Sequence, residues 1–187
     1  MLQSTAYFAR VAEVLTRLPA GQIDRIAQVL LDARRDGRKI FLMGNGGSSA
    51  NASHIVNDLV KSAVGPAGER FKAICLSDNT PLLTAYANDV SYDIVFSEPL
   101  AALAEPGDVV IALSGSGNSP NVIRAMEVAR DKGLTRIGLT GRDGGKLAPL
   151  CDIPVIVPTE SMQIIEDLHL VILHAVFLQI CDGKEYE

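Results

Sequence analysis

Apolar residues recur at helical spacing through residues 1–17 and again through 22–35, and Leu18-Pro19-Ala20-Gly21 breaks the pattern between them. The pattern then changes. Five short apolar runs follow at intervals, 39–43, 73–76, 108–113, 136–140 and 153–157, each bounded by Gly, Pro, Asp or Ser. Helical segments separate the runs, and a last helix covers roughly 160–181. Such alternation predicts an α/β fold: a five-stranded, mainly parallel sheet with helices on both faces. The chain reads as one domain, with a helical extension over 1–36 and a wound core with its closing helix over 37–187. The two leading helices are extra to the core. They either serve an oligomer interface or pack on their own sheet.

Composition narrows the class. With 187 residues, 48% hydrophobic and 21% charged, the chain can bury a sizeable core, and wholesale disorder is excluded. Its 17 Lys and Arg against 22 Asp and Glu give a net charge of −5, the wrong sign for a general nucleic-acid binder. Cys75, Cys151 and Cys181 are odd in number and fit no metal spacing such as C-x-x-C, so they read as small core residues in a reducing compartment. The N-terminus lacks the basic flank and apolar stretch of a signal peptide. The most apolar stretch, 168–180, is interrupted by His169, His174 and Gln179 and is too short to cross a bilayer. These features predict a cytoplasmic protein with neither membrane nor nucleic acid as partner.

In open parallel sheets ligands bind beyond the carboxyl ends of the strands, and three of those ends carry unusual chemistry. Gly44-Asn45-Gly46-Gly47-Ser48-Ser49 follows the first strand, Ser114-Gly115-Ser116-Gly117-Asn118-Ser119 the third, and Thr140-Gly141-Arg142-Asp143-Gly144-Gly145 the fourth. The first two lead into helices, whose N-termini offer unpaired N–H groups and a favourable dipole to an anion. No lysine stands in the Walker position. A dinucleotide fingerprint would need a glycine at Ser49 and an acidic residue about twenty residues on, at the end of the second strand. That stretch holds Gly65-Pro66-Ala67-Gly68, and Asp78 comes late. No nucleotide cofactor is expected.

Two polar stripes complete the picture. At helical spacing Asn51, His54, Asn57, Asp58 and Lys61 share one face, with His54 and Asp58 four apart and therefore neighbours. In the otherwise apolar last helix Gln163, Glu166, Asp167, Leu170 and His174 share a stripe, while His169 points away and reads as a packing or interface residue. Burying such polar groups is costly unless they are paired or bound to a ligand. His54, Asp58, Glu166 and His174 are a plausible ligand set for a divalent metal such as zinc.

The order and spacing of these motifs closely resemble the SIS (sugar isomerase) domain, and its phosphoheptose isomerase branch in particular. The resemblance rests on Gly44-Asn45-Gly46-Gly47-Ser48 with His54 downstream, Asn88-Asp89, Ser114-x-Ser116-Gly117-Asn118-Ser119 and Leu139-Thr140-Gly141-x-Asp143-Gly144-Gly145. It implies a flavodoxin-like sheet and a homotetramer with active sites at subunit interfaces. The implied activity is aldose–ketose isomerisation between sedoheptulose 7-phosphate and D-glycero-D-manno-heptose 7-phosphate, early in the synthesis of heptose-containing glycans. It assigns Ser114, Gly115, Ser116 and Ser119 to the phosphate, and Asn45, Gly46, Ser48, Asp89 and Gln163 to the substrate. Asp58, Glu166 and His174 become the catalytic groups, and His54, Asp58, Glu166 and His174 the ligands of a zinc ion. The chain departs from the family in having Asp58 for a glutamate, Glu166 for a glutamine and Gln163 for an aspartate. The chemistry explains the residue types, because moving a proton between adjacent carbons through an enediol(ate) needs a base and a proton shuttle near neutral pH. The resemblance also leaves open a non-catalytic protein that binds a replication initiator or senses a sugar phosphate.

Overall fold

The computed structural model describes residues 3–182. In chain order the elements are α1 (Ser4–Leu15), α2 (Ala20–Arg35), β1 (Lys39–Gly44), α3 (Gly47–Lys61), β2 (Lys72–Cys75), α4 (Thr80–Asp89), α5 (Ser97–Leu103), β3 (Val109–Ser114), α6 (Pro120–Asp131), β4 (Thr135–Gly141), β5 (Ile153–Val157) and α7 (Met162–Ile180). The strands lie in the order β2-β1-β3-β4-β5, and all four pairings are parallel. This is the doubly wound order in which the chain reverses direction between β1 and β3.

Strands buried on both faces need apolar side chains at every position rather than at alternate ones. All six residues of β3 are buried, as are five of the six in β1. Successive side chains then feed opposite layers. Ile40, Leu42, Val109, Ile111 and Leu113 join α2, α3 and α7 in one core. Phe41, Met43, Val110 and Ala112 join α5 and α6 in the other.

The leading helices divide in role. Ile23, Ile26, Ala27 and Leu30 of α2 belong to the first core, so α2 packs on its own sheet. Helix α1 buries only Val14 and leaves Phe8 64% exposed; its Tyr7 hydroxyl donates to Asp167 on α7. Helix α7 is longer than the apolar run at 168–180, because Ile164 and Ile165 extend its buried face. By length and composition alone its 19 residues are enough to cross a membrane. Here they form a core helix packed against α2, α3 and β4. His169 is completely buried on it and makes one hydrogen bond, from Nε2 to the Thr140 carbonyl at 3.1 Å. A carbonyl only accepts, so Nε2 carries the proton. Burial pushes the imidazole pKa down to about 4, and the ring is neutral near pH 7.

At the amino edge of the sheet Asp108 is buried just before β3. It accepts from the Lys39 and Glu105 backbone N–H groups, each at 2.9 Å, and from Lys39 Nζ at 3.2 Å. Asp108→Ala strands these donors and is expected to cost about 2–4 kcal/mol. Urea denaturation should show the lowered midpoint, with activity per folded molecule unchanged because the site lies at the opposite edge.

Candidate active site

The loops after β1 and β3 meet where the strand order reverses. They enclose a cavity of about 210 Å³ lined by Asn45, Ser48, Leu113, Ser114, Gly115, Ser116, Ser119, Met162 and Glu166. The serine loop supplies one end. Ser114 and Ser119 hydroxyls stand 3.3 Å apart, and the loop ends at the N-terminus of α6. Gly117 makes the turn possible: it has φ +64°, and a Cβ there would lie 2.2 Å from the Gly144 carbonyl oxygen. The loop after β4 therefore buttresses the serine loop, and Lys146 N–H donates to Asn118 Oδ1 across the contact.

Glu166 is the one ionisable side chain on that cavity wall. Helices α3 and α7 run side by side, with Asn51 Nδ2 donating to the Glu166 carbonyl at 2.9 Å. The Glu166 carboxylate rests against Gly47 in the first turn of α3, where a Cβ would lie 2.6 Å from Oε2. Glycine permits that approach, and the helix N-terminus favours the negative charge.

Farther along the same two helices His54, Asp58 and His174 converge, with one ligand atom from each lying within 4.8 Å of the others. His54 Nε2 is 2.9 Å from His174 Nε2, and Asp58 Oδ2 is 3.3 Å from His54 Nε2 and 3.7 Å from His174 Nε2. Zinc with ligands at about 2.0–2.1 Å holds tetrahedral neighbours roughly 3.3 Å apart. The three separations straddle that value, and two imidazoles with a carboxylate are a zinc-type donor set. The histidine side chains are 47% and 43% exposed, so the cluster keeps open positions on its outer side.

The structure separates Glu166 from this cluster, unlike the four-residue ligand set expected from sequence. Eight residues of helix put Glu166 and His174 about 12 Å apart along the axis. The Glu166 carboxylate lines the cavity instead, against Gly47 at the start of α3. Gly46 caps α3 without lining the cavity. Gln163 is exposed near the start of α7. Asp89 ends α4, a helix with no buried residue; it accepts from the Asn88 side chain and lines a separate shallow pocket with Leu82, Tyr86 and Val90. Neither Gln163 nor Asp89 lines the cavity in this chain.

Asn121 was not foreseen from sequence. Its side-chain amide pairs with that of Asn45 through hydrogen bonds of 3.0 and 2.9 Å, and the Tyr92 hydroxyl also donates to Asn45 Oδ1. This pairing locks the glycine loop to the start of α6. The signal was available: Asn121 lies among Val122, Ala125, Met126 and Ala129 on the buried face of α6, where a polar residue needs a specific partner.

Comparison with known proteins is consistent with this geometry. Residues 6–141 match the SIS domain. A phosphoheptose isomerase from Helicobacter hepaticus is 40% identical over 97% of the chain and 89% of its own length. One from Trichlorobacter lovleyi is 41% identical over 86% and 79%. The structure of phosphoheptose isomerase from Neisseria gonorrhoeae superposes with a TM-score of 0.87 at 34% identity, covering 96% of this chain and 97% of that one.

The serine loop makes a direct prediction. Ser116→Ala and Ser119→Ala should each weaken a phosphorylated sugar about tenfold or more, the worth of one hydrogen bond to a charged group. Calorimetric titration should show that loss with melting temperatures nearly unchanged.

Proposed function

The chain belongs to the SIS domain family and, within it, to the phosphoheptose isomerases, and on that premise we propose how its own residues interconvert sedoheptulose 7-phosphate and D-glycero-D-manno-heptose 7-phosphate. The observation that carries the proposal is a single cavity combining a serine-rich anion loop, an asparagine-anchored glycine loop and one carboxylate. Ser114, Gly115, Ser116 and Ser119 hold the phosphate with the N-terminus of α6. Asn45 and Ser48 orient the sugar, with Gly46 shaping their loop. Fixing the remote phosphate places the reacting carbons, so binding energy there lowers the barrier elsewhere.

Glu166 is the base that moves the proton between the two carbons, since it is ionisable, lies on the wall and stands between the serine loop and the histidine cluster. Asp58, whose Oδ1 lies outside the cluster, takes the hydroxyl proton on the far side, and His174 holds it in place through the cluster. His54, Asp58 and His174 would hold zinc, which when bound stabilises negative charge on the substrate oxygen. Asp89 and Gln163 complete a neighbouring subunit's site in a homotetramer. Exposed Phe8 and Leu15 on α1, and Leu82, Val90 and Tyr92 around α4, supply the apolar surface for such contacts. A soluble, cytoplasmic setting suits the free cysteines and a phosphorylated metabolite.

Glu166→Gln separates base from ligand. At saturating zinc the variant should lose exchange of the C1 proton with solvent, followed by NMR in deuterium oxide, while binding zinc as the wild type does. Rescue of Glu166→Gln by excess zinc would instead return Glu166 to the ligand set. His174→Ala should lose both zinc affinity and turnover.

Light scattering should report a tetramer at micromolar protein. A stable monomer that still turns over would remove Asp89 and Gln163 from the site.

A further inference from the structure

The α7 interface is almost wholly apolar. Ile164, Ile165, Leu168, Ile172, Leu173 and Val176 are all buried in it, and apolar contact is non-directional. Side-chain packing seats the helix, and a directional hydrogen bond adds a sharper preference for one position along its axis. His169 stands out here. It is completely buried, and its one hydrogen bond reaches the main chain of β4, from Nε2 to the Thr140 carbonyl at 3.1 Å. Its Nδ1 has no partner, and neither does the buried Thr140 hydroxyl. A leucine would fill this position without the unpaired Nδ1, so packing alone does not account for a histidine.

The bond sits between the two halves of the site. Just past Thr140, the Gly141 N–H donates to the Gly115 carbonyl, on the cavity wall, at 3.1 Å. Ile165 of α7 presses on Gly141 so closely that a Cβ there would lie 2.2 Å from its Cδ1. N-terminal to His169 on α7 is Glu166, and C-terminal to it is His174.

We propose that His169 is a positioning residue whose hydrogen bond to the Thr140 carbonyl sets the height of α7 along β4, aligning Glu166 with the serine loop and His174 with His54 and Asp58. The inference rests on the isomerase reading for its effect on turnover, and on the His54, Asp58, His174 geometry for its effect on metal binding. The ring acts as a neutral donor, in keeping with its burial. Small shifts suffice, because ångström displacements of catalytic groups cost large factors in rate.

Three substitutions test it. His169→Leu keeps the volume and removes the donor, His169→Gln keeps a donor able to reach the carbonyl, and His169→Asn keeps an amide too short to do so. Each is measured for melting temperature, for kcat and KM with sedoheptulose 7-phosphate, and for zinc affinity by competition with a chelating dye. His169→Leu should melt close to the wild type, yet lose about tenfold or more in kcat with KM little changed and bind zinc several-fold more weakly. His169→Gln should recover most of both, and His169→Asn should resemble His169→Leu. Wild-type kcat and zinc affinity in His169→Leu would overturn the proposal. So would losses in all three variants that simply track the fall in melting temperature. A wild type that binds zinc but leaves sedoheptulose 7-phosphate unchanged would overturn the isomerase assignment alone, since weaker zinc binding in His169→Leu, restored in His169→Gln, would still support the positioning role.

Discussion

Five strands pointing the same way put every strand-to-helix loop at one edge of the sheet, and the reversal of winding between β1 and β3 leaves a gap there that no connection crosses. The rest of the site depends on this constraint. Glycine and serine loops far apart in sequence become opposite walls of one cavity, and α3 and α6 both begin there. An anion in the gap meets helix N-termini, backbone N–H groups and hydroxyls without needing a lysine or arginine. None of the nine wall residues is basic. The loop after β4 serves the same edge from behind, holding the serine loop in shape through Gly144 and Lys146.

Helix α7 supplies what the loops lack. It lies beside α3, so a carboxylate and an imidazole eight residues apart on one helix face different parts of its neighbour. Glu166 meets the first turn of α3 and His174 meets His54 and Asp58 farther on. One pair of helices therefore presents a carboxylate at the cavity and an N/O donor cluster beyond it. The outer side of that cluster is open, and much of α1 and α4 is exposed and apolar. A second subunit covering these faces would both bury them and close the site, which ties assembly to catalysis in the proposed tetramer.

Local rules account for much of this and fail at identifiable places. The strands were legible because burial on both faces demands unbroken apolar runs, and α2, α3 and α7 because one apolar stripe repeats at helical spacing. The glycine and serine loops stood out because glycine, hydroxyl and amide types gather where a backbone turns and donates, and the family resemblance then pointed to Asn45, Ser48 and the serines, which line the cavity. His54 and Asp58 were paired correctly because four residues of helix bring side chains together regardless of the fold. Asn121 was not singled out from the sequence. Its partner, Asn45, is 76 residues away, and only the buried neighbours of α6 marked its position.

The sequence by itself determined the element order, the glycine- and hydroxyl-rich character of two loops after strands and the residue types available for proton transfer, because each follows from interactions within a few residues. Only the tertiary structure decided how those residues divide. Glu166 lines the cavity because the missing Cβ of Gly47 lets its carboxylate rest there, a contact between residues 119 positions apart in the chain. Asp89 was drawn into the site by its motif but is carried away from the cavity by an exposed helix. His169, read as a packing or interface residue, is buried and holds a carbonyl of β4, because the end of that strand lies beneath α7. Distances of this kind depend on how helices seat on a sheet, and that seating is set by the packing of side chains from all over the chain.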